Sequence, residues 1–282
     1  MKIITRYMNY LSAFKRGRNE LEAAGIADAD TDAELLLMHV CRTERGSRFS
    51  HPERELTEAE ENLYLDMLSK RSSHIPLQHL TGIQSFMGMD FEVNGNVLVP
   101  RPDTEILVGE VMKDGAVGAS ILDLCTGSGC IILSLLKYVN ESCGTGTDIS
   151  EAALEVAGRN AARNGIGAHF ISSDLFESVD GKYDIITSNP PYIKSGDIEG
   201  LMPEVKDHDP LIALDGGADG LEFYRRIIKQ APDYLNPAGR IYLEIGFDQG
   251  EQVKEMCLAK GYKDVDVIMD YSGLPRVVKA HI

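Results

Sequence analysis

From residue 121 onward, short apolar runs bounded by glycine, proline, asparagine and aspartate alternate with longer segments of helical period. The runs predict strands over 121–125, 143–148, 169–172, 184–188, 240–245, 264–269 and 276–280. The periodic segments predict helices over 129–138, 150–164, 220–235 and 249–260. Such alternation implies a mainly parallel sheet covered on both faces. Only Asp270-Tyr271-Ser272-Gly273-Leu274-Pro275 separates the last two strands, too little for a helical crossover, so that pair is expected antiparallel. The expected fold is α/β, with a seven-stranded, mostly parallel sheet and one reversed strand.

The first eighty residues read instead as helices. One is expected from about Tyr7 to Ala24, ended by Gly25. Thr31-x-x-Glu34 and Thr57-x-x-Glu60 both fit the capping box, in which a threonine hydroxyl and a glutamate three residues on satisfy each other's backbone N–H groups. Between Thr81 and Pro100 the texture changes to two alternating runs around Asn94-Gly95, which predicts a hairpin with its turn there. Pro100-Arg101-Pro102 continues neither strand nor helix and should be a stiff joint. The expected division is a helical substrate-recognition domain over 1–80, a β-hairpin linker over 81–100 and the α/β domain over 101–282.

With 282 residues, 43% of them hydrophobic, the chain can bury a full core. Its apolar runs are too short to span a membrane, and Met1 to Arg6 lacks the apolar stretch of a signal peptide, so a cytoplasmic location without membrane association is expected. Five cysteines without C-x-x-C spacing suggest neither a disulfide framework nor a zinc site, and no metal is expected. A net charge of −16 disfavours stable nucleic-acid binding, which relies on lysine and arginine to neutralise phosphates. A protein or small-molecule partner is favoured.

Two motifs carry candidate chemistry. Cys125-Thr126-Gly127-Ser128-Gly129 turns a buried strand directly into a helix, and the glycines let a ligand approach the backbone and the unpaired N–H groups of the helix's first turn. About 20 residues on, Asp148 ends the next strand, where a carboxylate can accept both hydroxyls of a ribose; it could equally be the residue before a helix capped by Ser150. The pattern lacks the third glycine of pyrophosphate binders and the lysine of a P-loop. An adenosine without phosphates therefore fits, and S-adenosylmethionine is the candidate cofactor. The second motif is Asn189-Pro190-Pro191-Tyr192, after the strand at 184–188: an amide, two rigid prolines and a ring that suit a planar, nitrogen-bearing group. Ligands of open α/β sheets lie at the strands' carboxyl ends, where Cys125 to Gly129, Asp148, Asp174-Leu175 and Asn189 are all expected.

With Pro76-Leu77-Gln78-His79-Leu80-Thr81-Gly82, Phe86-x-Gly88-x-x-Phe91, Val99-Pro100-Arg101-Pro102-Asp103-Thr104-Glu105, Asp148-Ile149-Ser150 and Leu243-Glu244-Ile245-Gly246, the chain resembles the HemK/PrmC family over nearly its whole length. These are the peptide chain release factor glutamine N5-methyltransferases, with a Rossmann-like class I methyltransferase domain. The resemblance implies S-adenosylmethionine as cofactor, lined by Cys125, Thr126, Gly127, Ser128 and Gly129. Asp148 would hold its ribose, Leu175 would border the adenine and Asn189 would also contact the cofactor. It implies release factors as partners, with the glutamine of a Gly-Gly-Gln loop held by Asn189, Pro190, Pro191 and Tyr192. Asn189 and Pro190 would accept the two amide hydrogens while Tyr192 packs on the amide plane, and these three are the catalytic expectation. Cys125 departs from the glycine common in methyltransferases, and Leu175 from the aromatic of some relatives. Three other readings stay open: an amino methyltransferase acting on adenine or guanine of DNA or RNA, a nicotinamide-dependent oxidoreductase, and a non-catalytic binding module. Ile193 to Gly220, rich in breakers and acidic groups, is expected to be a lid, a docking element or a solvated connection.

Overall fold

The computed structural model describes residues 7–115 and 117–282. The leader-segment reading of Met1 to Arg6 lies outside them. The chain divides into two compact units, one ending at Gly82 and the other running from Ile83 to Ile282.

The first unit is helical: α1 (Tyr10–Ala23), α2 (Ala29–Cys41), α3 (Ser47–Ser50), α4 (Glu58–Ser72) and α5 (Leu77–Thr81). Their apolar faces meet in a core that includes Tyr10, Leu21, Leu36, Leu37, Tyr64 and Leu68. Gly17 sits where the Tyr64 hydroxyl presses on α1, and a Cβ there would collide with it. Thr57 forms the expected capping box with Glu60. Thr31 does not cap α2. That helix starts three residues earlier, at Ala29 behind Asp28, with Asp30 and Asp32 in its first turn, where carboxylates oppose the positive end of the helix dipole.

The second unit opens with a hairpin of β1 (Ile83–Phe86) and β2 (Met89–Glu92). Its turn is Met87-Gly88, not the expected Asn94-Gly95. Both turn residues have positive φ (48° and 68°), the conformation a two-residue hairpin turn needs. Methionine rarely adopts it, but here Tyr138 donates to the Met87 carbonyl at 2.6 Å and the Met87 N–H donates to Glu105 at 2.7 Å. Asn94 instead folds a local turn, its side chain accepting from Asn96 N–H at 2.9 Å.

There follow α6 (Glu105–Lys113), β3 (Ser120–Leu124), α7 (Cys130–Tyr138), β4 (Cys143–Asp148), α8 (Glu151–Asn164), β5 (His169–Ser172), β6 (Tyr183–Ser188), the short α9 (Pro203–Lys206) and α10 (Leu211–Leu214), α11 (Glu222–Gln230), β7 (Leu235–Glu244), α12 (Gly250–Lys260), β8 (Lys263–Met269) and β9 (Pro275–His281). Helix α11 is shorter than expected because the chain tightens into a 3-10 turn at Ala231–Asp233, which holds Pro232. The seven strands lie in the order β5-β4-β3-β6-β7-β9-β8, and β9 alone runs against its neighbours.

Successive strand residues face opposite sides of the sheet. Ile121, Ile185, Tyr242 and Val277 therefore pack on one side, with α6, α7 and the hairpin. Leu122, Ile186, Ile241 and Val278 pack on the other, with α11 and α12. Because β3 is followed by β4 on one side and paired with β6 on the other, the sheet has its switch point between β3 and β6, where α/β folds open a crevice. No helix among the described residues is long and apolar enough to cross a membrane.

Candidate functional site

Leu124 and Ser188 are register partners at the ends of β3 and β6, and the Ser188 hydroxyl donates to the Leu124 carbonyl at 2.9 Å. The glycine turn and the Asn189 motif therefore leave the sheet side by side. They open into a cavity of about 250 Å3 at the strands' carboxyl ends.

Cys125, Thr126, Gly127 and Ser128 form one wall. Cys125 has φ 55°, the left-handed region, which explains why glycine also suits this position. Burial pushes its thiol far up, so it stays protonated. Gly127 also has positive φ, and a Cβ there would meet nothing within 4 Å, which leaves open space on the cavity side of the turn. Gly129 is set back from the wall: its missing Cβ would lie 3.2 Å from Ala157, so it lets α7 and α8 approach each other.

Below the turn, the buried Asp123 accepts from Thr126 at 2.6 Å and Thr187 at 2.7 Å, tying the glycine turn to β6. Burial nevertheless pushes its carboxyl up to about 7. Asn160 braces the turn from α8. Its amide donates to the Ser128 and Glu92 carbonyls at 2.9 and 3.0 Å, and its oxygen accepts from Glu92 N–H at 2.6 Å.

Asp148 lines the cavity and accepts the backbone N–H of Gly127 and of Ser150, each at 2.9 Å, one on each carboxylate oxygen. Burial raises its pKa, against those hydrogen bonds. Ser173, Asp174 and Leu175 add the wall after β5, and Leu175 also has positive φ (54°). The two arginines of the wall are already paired: Arg226 with Asp174 and Arg101 with Asp209, each at 2.7 Å.

Asn189 and Pro191 face the cavity; Pro190 and Tyr192 are not on its wall. Tyr192 packs on the core beneath, where burial pushes its phenol up to about 12. The Asn189 amide nitrogen lies 3.4 Å from the Thr104 hydroxyl. Glu105 is not on the wall and serves the hairpin turn instead. The 193–220 segment supplies Pro210, Ile212 and Ala213 to the cavity. Its own two ends are tied together beside the Asn189 motif by Ile193 N–H to Leu214 O at 3.0 Å and Gly216 N–H to Ile193 O at 2.8 Å.

Thr104, Asp123, Asn160 and Glu244 were not singled out by chemistry in the sequence. Glu244 offered one signal, a carboxylate ending the apolar run Ile241-Tyr242-Leu243.

Known proteins match this chain along nearly its full length. A release factor glutamine methyltransferase from Agrobacterium fabrum is 41% identical, over 93% of this chain and 93% of its own. One from Geobacter sulfurreducens is 38% identical, over 94% of each. The chain belongs to the release factor glutamine methyltransferase family. Within it, residues 12–82 match the PrmC N-terminal domain and residues 102–202 the methyltransferase small domain. The crystal structure of a methyltransferase from Pyrococcus furiosus shares the fold, with a TM-score of 0.55 at 22% identity, covering 76% of this chain and 98% of that one. The cavity lies at the switch point of the sheet, where open α/β folds bind their ligands.

Proposed function

We propose that the protein transfers the methyl group of S-adenosylmethionine to the side-chain amide nitrogen, N5, of the glutamine in the Gly-Gly-Gln motif of peptide chain release factors. The observation that carries this is the register of β3 and β6, which brings the Cys125–Ser128 turn and Asn189 to one cavity. The cavity suits an adenosine without phosphates. It has open space at Gly127 and a carboxylate at Asp148, and both wall arginines are already neutralised by ion pairs. In this reading Cys125 to Gly129 hold the cofactor, with Gly129 acting through helix packing, Asp148 takes the ribose and Leu175 borders the adenine.

S-adenosylmethionine supplies an electrophilic sulfonium methyl. A carboxamide nitrogen is a poor nucleophile because its lone pair is delocalised into the carbonyl. The protein's task is then positioning and electrostatic stabilisation. Asn189 Oδ1, on the wall, accepts one amide hydrogen and the Pro190 carbonyl, set beside the cavity rather than on its wall, accepts the other once the glutamine is bound, which turns the nitrogen toward the methyl and stabilises positive charge as it grows. Pro191 completes the pocket, and Tyr192, anchored in the core, supports the amide plane. Burial holds the Cys125 thiol and the Tyr192 phenol protonated, so neither competes for the methyl group.

The test is incubation with labelled S-adenosylmethionine and a purified release factor, with the methyl group located by mass spectrometry. Label on the Gly-Gly-Gln glutamine is expected. Label on DNA or RNA, with none on the release factor, would overturn the reading in favour of a nucleic-acid amino methyltransferase.

A further inference from the structure

Glu244 ends β7 directly behind the cavity wall, in the apolar sequence Ile241-Tyr242-Leu243-Glu244-Ile245. It is 2% exposed, and its Oε2 is buried without a hydrogen-bond partner. A carboxylate is costly in such a place, and an unpartnered buried oxygen in a folded protein calls for a reason. Its main chain is fixed, since the Glu244 carbonyl accepts from the buried Tyr224 hydroxyl at 2.8 Å. The groups that face the side chain are the Thr104 hydroxyl and the Asn189 amide on the cavity side, with Arg276, Asp103 and Tyr192 around them.

Asn189 poses a problem that this arrangement answers. A carboxamide has a donor end and an acceptor end of nearly the same shape, and only its hydrogen-bond partners decide which one points where. To accept from a substrate amide, Asn189 must present Oδ1 to the cavity and turn Nδ2 inward. Beside it lies the buried Thr104, also on the cavity wall, with its Oγ1 3.4 Å from Nδ2. A lone hydroxyl would not decide the matter, because it can donate to Oδ1 as readily as it accepts from Nδ2. A carboxylate behind the hydroxyl does decide it: ionised Glu244 can only accept, so Thr104, which faces it, donates there and is left to accept from Asn189, while the Asn189 NH2 group also faces the carboxylate directly.

We propose that Glu244 is a positioning residue which, directly and through Thr104, fixes the Asn189 carboxamide with its NH2 group toward Thr104 and Glu244 and its Oδ1 presented to the methyl acceptor. This rests on the methyl-transfer reading of the site. The burial that makes the carboxylate costly also holds it out of solvent, where it faces Thr104 and Asn189.

The test uses the full chain and the nearly isosteric Glu244→Gln, whose amide can donate to Thr104 and free the hydroxyl proton for Asn189 Oδ1. Turnover on the release factor is expected to fall about tenfold or more, with KM and cofactor Kd within about threefold of wild type. Placed on an Asn189→Ala background, the same change should cost less than about twofold, because the group it orients is gone. The Asn189 side-chain NH2 resonances, assigned by their loss in Asn189→Ala, should shift in Glu244→Gln. Should Glu244→Gln not fold, Thr104→Val breaks the same relay and is expected to give the same loss and the same non-additivity.

Equal losses in the wild-type and Asn189→Ala backgrounds, or unmoved Asn189 amide signals, would overturn the proposal. If the wild-type protein methylates no release factor, the proposed function falls, while the amide resonances still decide whether Glu244 orients Asn189.

Discussion

Gly216, in the 193–220 segment, packs directly on the backbone of the Asn189 motif, and Gly216→Ala turns that contact into a measurable displacement. A Cβ added there would lie 2.7 Å from Tyr192 Cα, 2.8 Å from the Pro191 carbonyl oxygen and 2.9 Å from Tyr192 C. Carbon atoms in contact prefer about 3.5–4.0 Å, so one backbone must move by roughly 1 Å. Gly216 is poorly placed to retreat: its N–H donates to Ile193 O at 2.8 Å, and its carbonyl accepts from Glu222 N–H at 3.2 Å. The Pro191–Tyr192 backbone should yield instead, carrying Asn189 and Pro190 with it. Forced overpacking of this kind costs about 1–3 kcal/mol of stability, and a misplacement near 1 Å at reacting groups costs about 10²-fold in rate. The assay is steady-state methyl transfer to a release factor, with cofactor Kd by calorimetry and a thermal melt beside it. Turnover should fall about 10²-fold while cofactor Kd stays within about threefold, because the glycine turn is untouched. Gly196→Ala is the control, since a Cβ there meets nothing within 4 Å. Turnover in Gly216→Ala within about threefold of wild type would refute the idea that the motif's backbone position sets the rate.

Asn189→Ala should lower turnover by about 10²–10³ with little change in cofactor Kd, and near-normal turnover would remove it from catalysis. Asp148→Ala should instead weaken cofactor binding about 10–100-fold by calorimetry; unchanged affinity would mean that the ribose is held elsewhere. Asn160→Ala strips partners from three backbone groups at Glu92 and Ser128 and should destabilise the second unit by about 2–4 kcal/mol in denaturant unfolding; a loss under about 1 kcal/mol would show that the glycine turn needs no brace from α8. Burial pushes the carboxyls of Glu244 and Asp123 up to about 7, above their unfolded values near 4. The folded state then binds more protons between about pH 4 and 7, so these two groups make stability fall as pH rises through that window. Asp184 works oppositely: its carboxyl is held down chiefly by the Ser120 N–H, so its contribution is lost as pH falls below about 4. Glu244→Gln should flatten its share of the slope and raise stability at pH 8 by on the order of 1–3 kcal/mol in thermal melts, whereas an unchanged melt at pH 8 would show that Glu244 carries no burial cost.

The elements legible in the sequence are those whose determinants lie within a few residues of one another. Cys143–Asp148 and His169–Ser172 appear as strands at their expected bounds, and Thr57 caps α4 through Glu60, three residues away. The number of strands and the reversal of β9 follow from counting apolar runs and measuring the gaps between them. The glycine turn, Asp148 and Asn189 could be placed at one end of the sheet because parallel strands all end on the same side.

What the tertiary structure alone decided are contacts between residues far apart in the chain. Met87-Gly88 turns the hairpin because Tyr138, 51 residues on, holds the Met87 carbonyl, a force that local propensity for Asn94-Gly95 cannot register. Gly129 reads as a ligand contact in the motif but serves the packing of α7 on α8, and only the placement of Ala157 reveals it. Thr104 meets Asn189 across 85 residues, and Arg101 meets Asp209 across 108. A buried carboxylate such as Glu244 shows locally only as an acid ending an apolar run, because its meaning lies in which polar groups the fold brings to face it.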